Sequence, residues 1–364
     1  MTPTTAPGAS TGARAHFAGV RATTVVECAD LRRHPEALRS GWWAVVASFE
    51  GEITGWRFAD VVRDGPGVRR TTSAWHGPAA SAWQSSLDES GYVAAVDRVR
   101  EAVREGEVYQ ANICRVLSAP WGRDDGEPDA EALAAVLAAG NPAPYGGMLH
   151  VPAGTAERSA WVVSASPELF LSVSDGRVVS GPIKGTATRP EDLGAKDHAE
   201  NLMITDLVRN DLQRVCLPGS VEVLDLCAVE QHPGLVHLVS RVAGTLRAPL
   251  DPDGWSALLD ATLPPASVSG APKSSALRLI AELEPTARGP YCGAVGWVDA
   301  DAGRAELAVG IRTFWWTPGH GATGGALHFG TGAGITWGSD AHAEWRETEL
   351  KAARLVRLAS TVAG

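Results

Sequence analysis

The most regular pattern of apolar and polar positions lies in residues 90–105. Four apolar residues recur there at intervals of three or four: Tyr92, Val96, Val99 and Val103. That spacing places them on one face of a helix, and Gly106 follows where a glycine commonly ends one. We therefore predict an amphipathic helix over 90–105, followed by a strand in "EVYQANICRVLSA".

Short apolar runs separated by turn residues predict strands elsewhere. The stretch "AWVVSASPELFLSVSDGRVVSGPIKGT" predicts two strands around a tight turn at Asp175 and Gly176. Further strands are predicted in "WWAVVASF", "EITGWRFADVV", "VHLVSRVAGTL", "YCGAVGWVDADAGRAELAVGIRTFWW" and "GALHFGTGAGITW". Strand pairs joined by tight turns imply antiparallel sheets.

Three more segments predict helices: "AKDHAENLMITDLVRNDLQRVC", "SSALRLIAELEP" and "SDAHAEWRETELKAARLVRLAS". The second of these ends at Pro285, which cannot continue a helix. Helices packed against antiparallel sheets predict an α+β fold. Along the chain we expect a disordered tail over 1–15, a short N-terminal subregion over 16–81 and one large domain over 82–364.

Composition narrows the class of protein. The 364 residues are 45% hydrophobic and 20% charged, which is typical of a soluble globular protein. A net charge of −10 argues against a nucleic-acid partner, which needs a basic face. An anionic substrate therefore needs local positive groups or a metal ion. No segment approaches the roughly 20 apolar residues of a membrane span, so no membrane association is expected.

Cysteine usage predicts a reducing compartment. The five cysteines are scattered, odd in number and without a C-x-x-C pair: Cys28, Cys114, Cys216, Cys227 and Cys292. The N-terminal segment "MTPTTAPGASTGARA" lacks the apolar core of a signal peptide. Both observations favour a cytoplasmic location.

Two acidic pairs are candidate metal ligands. Asp197 and Glu200 begin one predicted helix, and Glu344 and Glu347 lie on the last one. Residues three apart share a helix face, and four convergent carboxylates suit a hard ion such as Mg²⁺. The alternative is solvated helix surface, since the sequence alone does not show that the pairs face each other. Lys351 can likewise form an exposed ion pair with Glu347.

Two further residues leave alternatives open. Glu168 interrupts the apolar segment "SASPELFL". It lies either on the polar face of an edge strand or in a pocket, where a raised pKa would suit a general acid. Lys184 in "GPIKGTATR" is a surface charge, a phosphate ligand or a nucleophile. The glycines of "GTGAGITWG" and "VSGAPKSS" lack the spacing of nucleotide-binding loops, although amides at Gly332 and Gly334 can hold a carboxylate.

From about residue 82 onward the chain resembles the chorismate-utilising enzymes: anthranilate synthase component I, aminodeoxychorismate synthase component I, isochorismate synthase and salicylate synthase. The resemblance rests on ordered motifs: "GEVYQANI", "SASPELFL", "GPIKGT", "KDHAENLMITDLVRNDLQRV", "VHLVSRVAGTL", "SVSGAPKSSAL", "ELEPTARGPYCGAVGW", "AVGIRT", "GTGAGI" and "SDAHAEWRETELKA". It implies an α/β sandwich of two large, mostly antiparallel sheets flanked by helices, with the active site in the cleft between them. One departure lies at Pro264–Ser267, which reads "PPAS" where the family has "PGGS".

The resemblance also implies roles for individual residues. Mg²⁺ would contact Glu200 and Glu347 directly, and Asp197 and Glu344 through water. Glu168 would protonate the leaving hydroxyl of chorismate, and His237 would lie near the reacting edge of the ring. The remaining matched positions would bind substrate: Tyr291, Arg312, Gly332 and Gly334 at the enolpyruvyl carboxylate, Ser269, Gly270 and Lys351 beside the ring carboxylate and metal, and Gln110 and Thr186 elsewhere in the site.

Two positions indicate which family member the chain resembles. Relatives that use water carry a basic lysine where this chain has Gln110, and anthranilate synthases usually carry alanine at the position of Lys184. Aminodeoxychorismate synthases carry lysine there, which implies a magnesium-dependent amination of chorismate through a covalent lysine intermediate. A separate glutaminase subunit would supply the ammonia. The alternatives are anthranilate synthesis, 2-amino-2-deoxyisochorismate synthesis and a non-catalytic chorismate-binding subunit.

Overall fold

The computed structural model describes residues 10–17, 19–63, 74–122, 126–187, 189–232, 235–319 and 324–361. The described strands are β1 (Ser10–Phe17), β2 (Val20–Asp30), β3 (Trp42–Ala47), β4 (Ile53–Arg63), β5 (Gln84–Ser85), β6 (Gln110–Pro120), β7 (Tyr145–Val151), β8 (Ala160–Ser166), β9 (Leu169–Ser174), β10 (Arg177–Gly181), β11 (Ile183–Ala187), β12 (Glu222–His232), β13 (Leu235–Thr245), β14 (Gly270–Ala271), β15 (Ala294–Asp299), β16 (Arg304–Val309), β17 (Thr313–Thr317) and β18 (Ala326–Ile335). The described helices are α1 (Glu89–Arg104), α2 (Ala130–Gly140), α3 (Ala195–Gln213), α4 (Pro252–Thr262), α5 (Lys273–Leu283) and α6 (Ala341–Ala359).

The predicted amphipathic helix is α1. Asp88 caps its N-terminus by accepting a hydrogen bond from the Gly91 amide at 2.8 Å, which satisfies one of the free N–H groups of the first turn. Tyr92, Val96 and Val99 are fully buried, as their spacing requires. Gly106 has a φ of 79°, the left-handed conformation in which glycine ends a helix. The three other predicted helices are also present, as α3, α5 and α6.

The predicted turn at Asp175 and Gly176 joins β9 to β10, and both residues have positive φ, as a two-residue hairpin turn requires. Each of the two expected strands is interrupted by a proline. Pro167 and Glu168 separate β8 from β9, and Pro182 separates β10 from β11. Because proline cannot donate to a ladder, it ends regular pairing. Glu168 therefore lies in a break between two strands.

The strands are linked by antiparallel pairing into one large network, and the helices pack on it. The α+β class with mostly antiparallel strands is confirmed, although pairing joins the strands continuously where two sheets were expected. A long antiparallel ladder joins β6 to β18, from Ala326 opposite Pro120 to Ile335 opposite Ala111. On its other side, β6 pairs with the short strand β14.

The N-terminal prediction is wrong for residues 10–15. They belong to β1, which pairs with β2 and β7, and Ala13 and Ala15 are buried. Residues 1–9 lie outside the described part. Strand β3 pairs with β15, so residues before 82 share the sheet of the large domain. The boundary at residue 81 stays a prediction.

Packing of two helices on the network positions the site. Helix α3 packs on β11, β12 and β13, and α6 packs on β18 and α1.

Strand β12 lies at the outside of the strand network, where it pairs with β13. It has four exposed apolar residues: Val223, Leu224, Leu226 and Val229. No helix in the described ranges is long and apolar enough to cross a bilayer.

Candidate active site

Side chains from β6 and β11 converge on Gly334 of β18. A Cβ atom at Gly334 would lie 2.2 Å from Nε2 of Gln110, 3.0 Å from Nζ of Lys184 and 3.1 Å from Oδ1 of Asn112. Because a contact of 2.2 Å is far inside van der Waals distance, glycine is the residue that leaves room for these groups. The chain therefore brings the predicted residues Lys184, Gln110 and Gly334 together.

Gln110 is fully buried at this point. Its Nε2 donates to Oδ1 of Asn112 at 3.1 Å, whereas its Oε1 accepts no hydrogen bond from any described residue. An unpaired buried acceptor carries a desolvation cost that a donating ligand would remove. Gln110 therefore offers an unused hydrogen-bond acceptor on the side chain whose amide nitrogen meets Lys184 over Gly334.

The surroundings of Lys184 lower the pKa of its amine. Burial lowers the pKa of Lys184, because the charged ammonium is poorly solvated there, and the charge of Lys351 lowers it further. The carboxylates of Glu200, Glu168 and Glu347 oppose this shift without cancelling it. A larger fraction of Lys184 is therefore nucleophilic near neutral pH than in an exposed lysine.

Of the two environments considered for Glu168, the structure has the buried one, with the residue 3% exposed. Burial raises the pKa of its carboxyl group to about 7, against the lowering effects of a Ser267 hydrogen bond, the Lys184 charge and the Ile183 amide. A carboxylic acid with such a pKa is substantially protonated near neutral pH. The position and protonation of Glu168 suit a general acid next to Lys184.

The acidic faces of α3 and α6 do face each other. Nζ of Lys196 lies 3.7 Å from Oε1 of Glu200 and 3.5 Å from Oε1 of Glu344. The Glu344 side chain is 6% exposed, and Oε1 of Glu200 is buried without a hydrogen-bond donor among the described residues. Burial raises the pKa of Glu200, and the charges of Lys184 and Lys196 oppose that rise. An ammonium group thus lies between the carboxylates of Glu200 and Glu344.

The other two predicted metal ligands are bonded elsewhere. Glu347 pairs with Lys351 at 2.7 Å, and Lys351 also donates to the carbonyl oxygen of Gly332 at 3.0 Å. Asp197 accepts a hydrogen bond from the Gly194 amide at 2.8 Å and so caps α3. Within the described ranges, no three His, Cys, Asp or Glu side chains are grouped closely enough to hold a metal. The four carboxylates are therefore not assembled into one cluster.

Glu200 and Glu344 nevertheless have the chemistry that suits Mg²⁺. This ion prefers oxygen ligands, keeps several waters and takes one or two protein carboxylates. Oε1 of Glu200, which accepts no hydrogen bond from the described residues, and the buried carboxylate of Glu344 offer two such ligands on facing helices. The same space accepts a positive charge, because Lys196 places one there.

Arg312 is available to an anionic ligand. It precedes β17 with a φ of 51°, and its carbonyl accepts a hydrogen bond from the Ala165 amide at 3.0 Å. Burial lowers the pKa of its guanidinium, and the charge of Arg354 adds to this effect. Across the described residues neither arginine forms an ion pair. Two neighbouring cations without a carboxylate partner suit the binding of a substrate carboxylate.

Several other predicted residues have mainly structural contacts. The ring of Tyr291 packs directly on Gly330, where a Cβ atom would lie 2.0 Å from its Cγ. The hydroxyl of Ser269 donates to the Pro265 carbonyl at 3.0 Å, within its own turn. A Cβ atom at Gly270 would lie 2.3 Å from the Gln110 carbonyl oxygen. These residues shape the site through the backbone of β6, β14 and β18.

His237 of β13 lies opposite Thr186 of β11. Thr186 follows Lys184 by two residues in the same strand. His237 is buried. The side chain of Thr186 lies outside the described part of the structure.

Three contributing residues were missed from the sequence: Asn112, Lys196 and Ser267. Asn112 and Ser267 are polar residues that look unremarkable in sequence, although Ser267 belongs to the departing "PPAS" segment. Lys196 lies four residues before Glu200, a spacing that indicates a helical ion pair. Its second contact, with Glu344, depends on how α3 and α6 pack.

Comparison with known proteins identifies the family to which the chain belongs. A model of the chorismate binding enzyme family matches residues 37–357. The chain is 35% identical over 290 residues to aminodeoxychorismate synthase component 1 of Salmonella typhimurium, covering 76% of this chain and 59% of that protein. It is 37% identical over 285 residues to anthranilate synthase component 1 of Saccharolobus solfataricus, covering 74% and 62% respectively.

Comparison with solved structures finds the same fold in a protein of related name. Anthranilate synthase component I of Streptococcus pneumoniae superposes with a TM-score of 0.76 at 22% identity, over 96% of this chain and 93% of that one. The chain belongs to the chorismate-binding enzyme family. It spans 59% and 62% of the length of the two curated relatives. The recognition made from the ordered motifs is confirmed at the level of the family.

Proposed function

We propose that the protein acts as an aminodeoxychorismate synthase component I, which converts chorismate and ammonia to 4-amino-4-deoxychorismate. The observation that carries this proposal is Lys184, whose pKa is lowered by burial and which lies beside the protonatable carboxyl of Glu168. A nucleophile and an acid in one cleft are the two groups that a covalent amination requires.

In the proposed first step, the neutral amine of Lys184 attacks carbon 2 of chorismate. The ring double bond shifts, and the hydroxyl on carbon 4 leaves as water with the proton of Glu168. In the second step ammonia attacks carbon 4, the double bond shifts back and the bond to Lys184 breaks. The lysine is regenerated, and nitrogen ends on carbon 4.

Gln110 supports ammonia over water as the nucleophile. An amide side chain cannot act as the base that would activate water. Its buried Oε1 accepts no hydrogen bond from the described residues, so it can receive one from an N–H of ammonia. The side chain that carries this acceptor meets Lys184 over Gly334, in the cleft where the second attack would take place.

Substrate carboxylates would be held at two places. Arg312 would bind the enolpyruvyl carboxylate as a planar fork. Mg²⁺ would be held beside the ring carboxylate by Glu200 and Glu344 once Lys196 has moved away. Two further carboxylates, Glu347 and Asp197, lie nearby in the chain. The bound ion would withdraw electrons from the ring as a Lewis acid.

The ammonia source would be a separate glutaminase subunit. The Salmonella and Saccharolobus relatives are both named component 1, which fits an enzyme of two parts. We expect the pair to work in the cytoplasm. Free ammonia would replace the partner less efficiently in vitro.

Product analysis tests the proposal. The protein is incubated with chorismate, Mg²⁺ and ammonia, and an aminodeoxychorismate lyase is then added. We expect p-aminobenzoate that depends on the lyase. The competing function, anthranilate synthesis, has support from the 37% identity to the Saccharolobus enzyme. Anthranilate without p-aminobenzoate would establish that function instead, and absence of turnover would indicate a binding subunit.

A further inference from the structure

A small cavity lies against Glu168. Its polar lining comes from Glu168, Ser180, Asp211, Thr262 and Ser267, and the rest of the lining is largely apolar. About 20 Å³ is open to the centre of a water molecule, which is room for one ordered water. Such a water needs several polar partners, and the lining offers two carboxyl groups and three hydroxyls.

On its other side the cavity meets an ion pair. Asp211 of α3 binds Nζ of Lys273 at 2.6 Å, and the same Nζ donates to the carbonyl of Thr262 at 3.3 Å. Their side chains are 15% and 23% exposed, whereas Glu168 is 3% exposed. The cavity thus joins a buried acid to an ion pair that reaches solvent.

The proposed reaction gives this connection a task. Its balance is R–OH + NH₃ + H⁺ → R–NH₃⁺ + H₂O, where R is the chorismate skeleton. Each turnover leaves Glu168 as a carboxylate that must regain one proton. The proposed substrate and Lys184 would fill the cleft on one side of Glu168, and the cavity offers a second route for the proton while they do.

We propose that Asp211 is a positioning residue that holds a water in this cavity, through which solvent returns a proton to Glu168. The inference rests on the proposed general-acid role of Glu168. One O–H bond of the water breaks as the new O–H bond on Glu168 forms. The water recovers its proton from solvent beside Asp211, and nothing is oxidised or reduced.

The charges around both ends are compatible with this route. Glu168 faces Lys184 of β11, whose nitrogen becomes positively charged when it bonds to carbon 2, and that charge stabilises the carboxylate until the proton arrives. Asp211 faces Lys273 of α5 and Arg214, which directly follows α3. Burial raises the pKa of Asp211, and these two cations oppose that rise. The Asp211 carboxyl group, held by Lys273 at 2.6 Å, can accept a hydrogen bond from one hydrogen of the water and leave the other directed to Glu168.

The test is the steady-state rate of Asp211→Asn in H₂O and D₂O. We expect kcat to fall about tenfold or more and its solvent isotope effect to rise, because reprotonation becomes limiting, with the chorismate KM within about twofold. Asp211→Glu should restore both quantities in part. The matched control is Asp206→Asn, an exposed position on the same helix paired with Arg209, which should behave as wild type.

A folded Asp211→Asn protein with an unchanged kcat and isotope effect would overturn the proposal. If that variant does not fold, Val208→Ile decides, because its added methyl group fills the cavity without changing a charge. It should reproduce the slow, isotope-sensitive rate, and a wild-type rate would reject the route. If the wild-type product proves to be anthranilate, only the proposed function fails, since the same hydroxyl must still be protonated and the same variants still test the cavity.

Discussion

Lys184 ends directly over Gly334, with its Nζ 3.0 Å from the position that a Cβ atom on that glycine would occupy. The two residues belong to strands β11 and β18, which are far apart in sequence. The glycine thus sets how closely the amine approaches Gln110 and the centre of the cleft. A methyl group at this position would displace both side chains.

Gly334→Ala is therefore expected to reduce amination about 100-fold, since a displacement of roughly 1 Å in a reacting group has that effect. The measurement is kcat with saturating ammonia and chorismate. Gly338→Ala is the matched control, because a Cβ atom there meets nothing within 4 Å. Equal rates for the two variants would contradict the role assigned to Gly334.

Lys184→Ala should abolish formation of 4-amino-4-deoxychorismate while chorismate still binds. Lys184→Arg should be equally inactive, because a guanidinium keeps its charge and cannot attack. Calorimetry measures binding, and mass spectrometry of rapidly quenched enzyme should detect a chorismate-derived adduct in wild type only. Full activity of the alanine variant would remove the covalent step.

The raised pKa of Glu168 predicts a pH dependence of stability. Its folded pKa of about 7 exceeds the ordinary glutamate value of 4.5, so the folded state binds the proton more tightly. The resulting stabilisation is complete below about pH 4.5 and is lost as the pH rises through about 7. Relative to Glu168→Gln, the free energy of unfolding of wild type should fall by about 2 kcal/mol between about pH 5.5 and 8.5.

Urea denaturation of both proteins at the two pH values measures this difference. Activity should follow the same titration, since only the protonated carboxyl can expel the hydroxyl. A wild-type rate that declines as the pH rises through about 7 is expected for the step limited by acid catalysis. A difference in stability that does not change with pH would show that Glu168 is ionised throughout.

Lys196→Met should strengthen Mg²⁺ binding about fivefold, because the ammonium between Glu200 and Glu344 competes with the ion at a cost of about 1 kcal/mol. Isothermal titration of Mg²⁺ without substrate measures the affinity. The same variant should melt at a lower temperature in EDTA, since it leaves the buried carboxylate of Glu344 and the half-buried one of Glu200 without their cation. Lys196→Arg is the control that keeps the charge, and its affinity should remain near that of wild type.

Sequence periodicity predicted the elements that have one buried face. Helix α1 shows this, because Tyr92, Val96 and Val99 define its inner side. Helix α2 was missed, because its sequence "AEALAAVLAAG" is apolar on nearly every side and so shows no helical periodicity of apolar and polar residues. Strand β12 was missed because its apolar residues do not alternate between a buried and an exposed face.

The site was predictable in its residue types and only partly in its geometry. The motifs placed Lys184, Gln110 and Glu168 in one site. In the structure Lys184 of β11 meets Gln110 of β6 over Gly334, and its charge acts on Glu168 in the break between β8 and β9. The arrangement of the acids depends on how α3 packs against α6, which no local pattern encodes. Lys196 satisfies Glu200 and Glu344, while Asp197 caps its own helix.

The exposed side of β12 has a practical consequence for the purified protein. Leu224 and Leu226 are 45% and 53% exposed on a strand at the outside of the network, and such strands can pair with a neighbouring molecule. Near neutral pH the net charge of −10 keeps molecules apart by mutual repulsion. Buffers close to the isoelectric point of about 5.5 remove that repulsion, and concentrated samples should turn cloudy there first.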